Sequence, residues 1–409
     1  MNDKKYIITF SYGDCSCGVG GTDKMVLTQI HLLNDAEYNV VSLSPNRGKY
    51  GGNYWDVLVN GHFYGVFSTE RFKRLIFRWK CDIYTIIVHH LKGIKIDLLE
   101  KIIDYVNVPI LFYLHDYYTI CPNGGLVREN GEYCGTGFPN ADKCKNCSLF
   151  NDVIRKLEIY KKFFEKYKER ITYVIPSDAA KEIWVKHYPE YKDNLKVIYH
   201  QKLYGEYLEN REIIEDNEPL KIAFIGYQKN LKGWIQFKEA AIKAIEDDRN
   251  IKFYQFGWGD EKIDGIEQVI VDFKKNINAM IDALRSNKIH IAILWSIWPE
   301  TYAYTYYEAY SANCFIITNN RSGNIFNQVE LRNNGIVVDD LKSFLNNEQE
   351  LRGMLNKYRK TKNKIPLSLE ENKDFLSLIP KGGVKVGEAS FKIDLSFIYS
   401  VVKKIKRFL

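Results

Sequence analysis

Two glutamates eight positions apart, Glu300 and Glu308, are the side chains in this sequence with the clearest chemistry. They lie in Pro299-Glu300-Thr301-Tyr302-Ala303-Tyr304-Thr305-Tyr306-Tyr307-Glu308-Ala309. An ionised carboxylate accepts hydrogen bonds from both hydroxyls of a vicinal diol, and sugars and riboses carry such diols. The apolar run Ile289 to Trp295 before them reads as a buried parallel strand, and Cys314 to Thr318 after them reads as the next one. Glu300 is therefore expected at the carboxyl end of a strand and Glu308 in the helix that follows. In open α/β sheets that crevice is where ligands bind.

Other groups point to the same kind of place. The first strand-to-helix turn runs Gly13-Asp14-Cys15-Ser16-Cys17-Gly18-Val19-Gly20-Gly21-Thr22-Asp23-Lys24. Its glycines allow close backbone approach, and a helix starting near Thr22, with Thr22 and Asp23 as candidate caps, offers free N–H groups to an anion. It is not a dinucleotide fingerprint, because Asp23 stands where the third glycine belongs. In the second half, Gly226 ends a strand and Lys232-Gly233 opens the next helix, where a lysine can reach a diphosphate. His89, His90, His115 and Asp116 all follow strand ends of the first half and are expected at one crevice rim. Cys121, Cys134, Cys144 and Cys147 share one loop-like segment, the last two as C-x-x-C. They are candidate ligands of a structural zinc, the alternative being reduced, uncoordinated thiols. There is no G-x-S-x-G elbow, no G-x-x-x-x-G-K-[ST] loop and no H-E-x-x-H, so hydrolase, NTPase and zinc-protease chemistry has no residues to rest on.

The elements that must position these groups alternate. Strand patterns at 6–10, 40–43, 86–88, 109–114, 173–177 and 195–199 are interleaved with helical patterns at 22–33, 71–78, 96–106 and 152–170. A second series begins at Ile222 to Gly226 and continues through 253–257, 289–295, 315–318 and 335–338. Alternation of this kind implies parallel sheets built from βαβ units. The charged stretch Glu209 to Pro219 reads as the linker. The expected organisation is a Rossmann-like domain over 1–208 with a cysteine-rich insertion at 117–150, a second Rossmann-like domain over 220–390, and an amphipathic helix over 391–409.

The bulk numbers agree with a globular two-domain α/β protein: 409 residues, 45% hydrophobic and 27% charged. A formal charge of +7 is mild for this length. It suits a phosphate-bearing substrate or an anionic membrane surface and does not argue for nucleic acid. Aromatics reach 14%, with 29 tyrosines, which suits carbohydrate contact and equally a biased composition. No apolar leader follows Met1-Asn2-Asp3-Lys4-Lys5, and no run approaches the ~20 apolar residues of a membrane span. The expectation is a cytoplasmic protein. The basic end Lys403-Lys404-Ile405-Lys406-Arg407 could touch the inner face of a membrane or simply face water beside a docked helix.

Taken together, these motifs resemble those of GT-B glycosyltransferases of family 4. The resemblance is carried by Gly20-Gly21-Thr22-Asp23-Lys24, Val88-His89-His90, Leu114-His115-Asp116 through Cys121-Pro122, Ile175-Pro176-Ser177, Gly226 to Lys232-Gly233, and the Glu300/Glu308 pair, and covers roughly residues 5 to 340. It implies two Rossmann-like domains facing a cleft, with a C-terminal helix returning to the first. It implies transfer of a sugar from a nucleotide diphosphate donor with retained configuration and no catalytic cofactor. The acceptor would be a saccharide or a lipid-linked glycan of bacterial-type surface or cell-wall polysaccharide.

Carried onto this chain, Glu300 with Thr301 and Tyr302 would meet the donor sugar, and Glu308 the ribose diol. Lys232, Gly226 and the N–H groups of Gly20 and Gly21 would meet the diphosphate. His115 would sit beside the transferred sugar, with His89, His90 and Asp116 toward the acceptor. Two departures stand out: Tyr227 where many relatives have arginine, with Lys229 nearby, and Thr301-Tyr302-Ala303 where many have Gly-Phe-Gly. The alternatives are a catalytically weak GT-B protein that binds a partner glycosyltransferase or a glycan, and a sugar-nucleotide epimerase of similar fold.

Overall fold

The computed structural model describes residues 5–15, 18, 20–48, 52–128, 131–135, 144–209, 213–272, 276–360, 363–387 and 403. The first sheet takes β1 (Lys5–Phe10), β2 (Asn39–Pro45), β3 (Tyr54–Val59), β4 (His62–Ser68), β5 (Asp82–Val88), β6 (Ile110–Tyr113), β7 (Ile171–Ile175) and β8 (Leu195–Val197) in the order β4-β3-β2-β1-β5-β6-β7-β8. β1 lies between β2 and β5, parallel to both. Both of its faces are covered: Ile8 and Phe10 pack with Val41, Ile86 and Val88 on one side, and Ile7 packs with Val26, Val40 and Ile87 on the other. That is why it reads as a continuous apolar run rather than an alternating one.

β3 and β4 depart from the parallel pattern expected from the sequence. They form an antiparallel hairpin on the edge beside β2. Asn60 and Gly61 join them with φ of 50° and 81°, the left-handed pair that matches the twist of a two-residue hairpin.

The chain then crosses through β9 (Gln201–Tyr204) and β10 (Tyr207–Glu209) into the second sheet. This sheet holds β11 (Leu220–Ile225), β12 (Ile251–Phe256), β13 (Ile266–Val269), β14 (Ile291–Ile293), β15 (Phe315–Thr318) and β16 (Gly335–Val337) in the order β13-β12-β11-β14-β15-β16, every pair parallel. Two apolar clusters cover its faces: Ala223, Ile225, Tyr306 and Ala309 on one, and Ile222, Phe224, Phe237 and Leu345 on the other. In this order the strands on either side of β11 and β14 run outward in opposite directions of connection. The carboxyl ends of β11 and β14 therefore border a topological switch point.

The return is also by strands. β17 (Asn363–Ile365) pairs with β10, and β18 (Ser368–Glu371) pairs with β9, both antiparallel. β19 (Val384–Lys385) then lies antiparallel to the start of β5, which brings the chain back to the first sheet. Of the expected C-terminal helix only Lys403 is among the described residues. Its ammonium pairs with Asp56 of β3 and lies over the Phe63 ring. The rest of 391–409 lies outside them.

Candidate functional site

Glu300 follows β14 on a short loop and is 3% exposed. Lys232 reaches it because the turn Asn230–Lys232 and the helix Trp234–Glu246 press against that loop at a glycine. A Cβ on Gly233 would come within 2.0 Å of the Trp295 carbonyl oxygen, and Gly233 has φ +82°. The Lys232 ammonium is 2.6 Å from Glu300 Oε1, and the Ser296 hydroxyl donates to the same oxygen at 2.9 Å. The backbone of Glu300 is held from the other side. The Asn324 N–H donates to its carbonyl at 2.8 Å, at the start of the helix Asn324–Arg332.

Glu308 lies in the helix Tyr304–Ser311 and is 6% exposed. Its partner is Lys24, from the first helix of the opposite lobe: Lys24 Nζ is 3.0 Å from Glu308 Oε1, and both side chains are almost fully buried. The same ammonium sits over the Tyr304 ring, 4.5 Å from its centroid. A third carboxylate borders the pair. Glu371, at the end of β18, accepts from Gln201 Nε2 at 3.3 Å, and burial holds its carboxyl above the usual range, with Lys24 opposing the rise and Glu308 adding to it.

The glycine loop is organised differently from the sequence expectation. The first helix spans Gly21–Asp35 with Gly20 as its cap, rather than starting at Thr22 with Thr22 or Asp23 as caps. Asp23 instead reaches back to accept the Gly20 N–H at 3.1 Å and the Tyr12 hydroxyl at 2.9 Å. The Gly20 N–H expected to face an anion is thus already bonded to a carboxylate. Gly18 is a glycine for the same reason, since a Cβ there would overlap the Asp23 carboxylate.

The histidines gather as expected from the strand ends, with one addition. His89 Nδ1 and His115 Nε2 are 3.0 Å apart, and the two rings stack. His200, just before β9, joins them with its ring centroid 5.6 Å from that of His115 and 4.6 Å from that of Tyr302. Burial lowers all three: His115 to about 3, with the nearby His90 ring adding to the effect, and His89 and His200 well below the ordinary histidine value. These rings are neutral near pH 7 and serve as hydrogen-bonding groups rather than charges.

His90 accepts the Lys92 N–H on Nδ1, so its other nitrogen donates to Asp116 at 3.1 Å. Burial raises the Asp116 carboxyl, but His90 and the Tyr118 N–H outweigh it and leave the carboxyl below its usual value. His89 is 1% exposed and lies beneath His115 rather than at the rim.

The lobes meet across this centre. The Ser177 hydroxyl donates to the Thr301 carbonyl at 2.6 Å, and the Thr301 hydroxyl donates to the His115 carbonyl. Tyr302 stacks on Tyr307, 4.7 Å between centroids. Gly226, with φ +128°, ends β11 with open space on its Cβ side. Sequence reasoning missed Glu371, His200, Ser296 and Asn324, and did not pair Lys24 with anything.

None of the four insertion cysteines is in a disulfide. Burial pushes the Cys121 thiol up to about 11, with small contributions from Cys134, Cys147 and Cys144. Among the described residues, no group of three or more histidine, cysteine, aspartate or glutamate side chains is assembled to hold a metal ion. A cavity of about 770 Å³ borders the carboxylate region, lined by Gln201, Lys202, Tyr307, Gln328, Arg332 and Asn372 among others. No helix among the described residues is long and apolar enough to cross a membrane.

No family model matches this sequence, and no curated protein sequence does. Solved structures do match. Sucrose-phosphate synthase from Thermosynechococcus elongatus superposes with a TM-score of 0.55 at 12% identity, covering 87% of this chain and 94% of that one. WaaG, a glycosyltransferase involved in lipopolysaccharide biosynthesis, gives 0.52 at 10% identity, with 87% and 94% covered. The parallel sheets, the carboxylate-bearing edge between them and these superpositions together identify the architecture as the GT-B glycosyltransferase fold.

Proposed function

We propose that this protein is a retaining glycosyltransferase of the family 4 type. It would move a sugar from a nucleotide diphosphate donor to a saccharide or lipid-linked acceptor in surface or cell-wall polysaccharide assembly. The observation that carries the reading is the placement of Glu300 and Glu308. Both are buried at the carboxyl edge of the second sheet, each within ion-pair distance of one lysine, and Glu308 meets the first lobe through Lys24.

In this reading Glu300 accepts hydrogen bonds from the donor sugar's hydroxyls and Glu308 from the ribose diol. Lys232 turns from Glu300 to the diphosphate and opposes the negative charge that develops there as the glycosidic bond breaks. The leaving phosphate takes the acceptor's proton. His115, held neutral, contributes a hydrogen bond to the sugar rather than a competing charge. Thermal-shift measurements with UDP, GDP, ADP, CMP and dTDP and their sugar conjugates test the assignment. One nucleotide is expected to raise the melting temperature of the wild type and not of Glu308→Ala. No shift with any of them would refute donor binding.

A second reading, a GT-B protein with weak or no turnover that binds a partner glycosyltransferase or a glycan, is favoured by one feature. The carboxylate assigned to ribose is occupied by Lys24 of the same chain. Donor hydrolysis or transfer by purified protein separates the two.

A further inference from the structure

The contact between Lys24 and Glu308 is unlike the surface ion pairs of this protein. Its two side chains are 6% and 8% exposed, they come from opposite lobes, and they are separated by 284 residues in sequence. The lysine is also packed against the Tyr304 ring, and Gly21 beside it lies so close that a Cβ there would touch the same ring at 3.6 Å. Glu371 approaches from the crossing strand β18, so one ammonium serves a place bordered by two carboxylates. Removing one partner of a buried pair leaves the other charge uncompensated and costs far more than the pair contributes. Here the two remaining carboxylates would also repel each other, and relief comes from water or from a proton taken up by one of them.

We propose that Lys24 is a built-in occupant of the donor site. In the unliganded protein its ammonium takes the position on Glu308 that a nucleotide's vicinal diol would take, and so latches the two lobes. Donor binding displaces it. This rests on the assignment of Glu308 to the ribose diol made above. The exchange involves no covalent step: one cation leaves a carboxylate and two hydroxyl donors replace it. A ligand that must break such a contact binds with its intrinsic affinity reduced by the fraction of molecules in the unlatched state. The latch therefore sets a threshold: a ligand that cannot satisfy Glu308 does not repay the lost ion pair and leaves the lobes as they were.

The test combines small-angle scattering of the unliganded protein with calorimetric binding of UDP, GDP and ADP, on wild type, Lys24→Met, Lys24→Arg and the double variant Lys24→Met/Glu308→Gln. Methionine keeps the apolar stem over Tyr304. Lys24→Met and the double variant, neither of which can make the ion pair, are expected to have a larger radius of gyration than wild type, whereas Lys24→Arg keeps the wild-type value, which also shows that the site still folds. For the nucleotide that binds, Lys24→Met is expected to bind about tenfold tighter or more. A Lys24→Met protein as compact as wild type overturns the latch. Weaker nucleotide binding by Lys24→Met overturns the displacement and makes Lys24 a ligand of the donor. If Lys24→Met expands and no nucleotide binds to either protein, the latch stands and the ribose assignment falls.

Discussion

Gly323 is where a single methyl group should do the most damage to the candidate site. It caps the helix Asn324–Arg332 with φ 61° and ψ −117°, a region that only glycine occupies without strain. A Cβ built there would lie 2.6 Å from both the Glu300 nitrogen and the Pro299 carbonyl carbon, and 2.7 Å from the Glu300 carbonyl oxygen. All three are backbone atoms of the loop that presents the Glu300 carboxylate, so no side-chain rotation relieves the overlap. Holding alanine in that conformation costs about 1–3 kcal/mol. Forcing a methyl into a packed site costs about as much again. Gly323→Ala should thus lose roughly 2–6 kcal/mol of stability.

Gly353 provides the control. It lies inside the helix Glu348–Lys360 with nothing within 4 Å of its Cβ position, and alanine there should stabilise by up to about 1 kcal/mol. Urea unfolding followed by tryptophan fluorescence, with nucleotide binding measured on the same samples, makes the comparison. A Gly323→Ala protein that unfolds within about 0.5 kcal/mol of wild type, the range of an ordinary surface change, would refute the argument that Gly323 and the Glu300 loop are locked together.

Two further outcomes are expected. Above the unfolded histidine pKa of about 6.5 the folded and unfolded chains both hold His115 neutral, whereas below it only the unfolded chain takes up the proton, down to the folded value of about 3. This histidine should therefore remove up to ~1.4 kcal/mol of stability per pH unit through that window. His115→Gln should flatten the dependence of the urea midpoint on pH, although Glu371, raised by burial, acts in the opposite sense from the ordinary carboxyl pKa upward; an unchanged slope would mean that His115 is not buried neutral. Tyr227 follows Gly226 at the end of β11, half-buried and with the Lys229 ammonium 5.5 Å from its ring. Tyr227→Arg should tighten nucleoside-diphosphate binding about tenfold, the effect of one good charge-assisted contact of ~1.4 kcal/mol, and an unchanged dissociation constant would place the diphosphate elsewhere.

What could be seen in the sequence was what is local. The parallel strands announce themselves because burial on both faces demands unbroken apolar runs, and Glu300 and Glu308 fall after β14 and in the next helix as that pattern requires. The β3–β4 hairpin had a local signal, Asn60-Gly61, that the expectation of continuous βαβ alternation overrode. β13 was not expected, because Ile266–Val269 is short, half-buried and interrupted by Glu267. Nothing local could pair Lys24 with Glu308, bring Glu371 beside them, or set His200 between His115 and Tyr302. Lys24 comes from a helix of the other lobe, and Glu371 and His200 are brought by the crossing strands β18 and β9; a sequence pattern carries no record of which side chains such packing delivers. The Gly20 N–H fails for a different reason. The carboxylate that consumes it is only three residues away, and a capping aspartate and an anion-binding loop look alike until the side chain is seen.

The pairing of β19 with β5 has a consequence for how the molecule is made. β6 joins β5 only from Ile86 onward, so Asp82 and Ile83 present an edge that Val384 and Lys385 complete. During synthesis, every strand of the second sheet leaves the ribosome before that completing piece exists. The later-encoded lobe can therefore close first, while the earlier one waits with an open seam. A nascent chain stalled after residue 360 would hold a finished second sheet beside a first sheet that still exposes this edge to any other extended segment nearby.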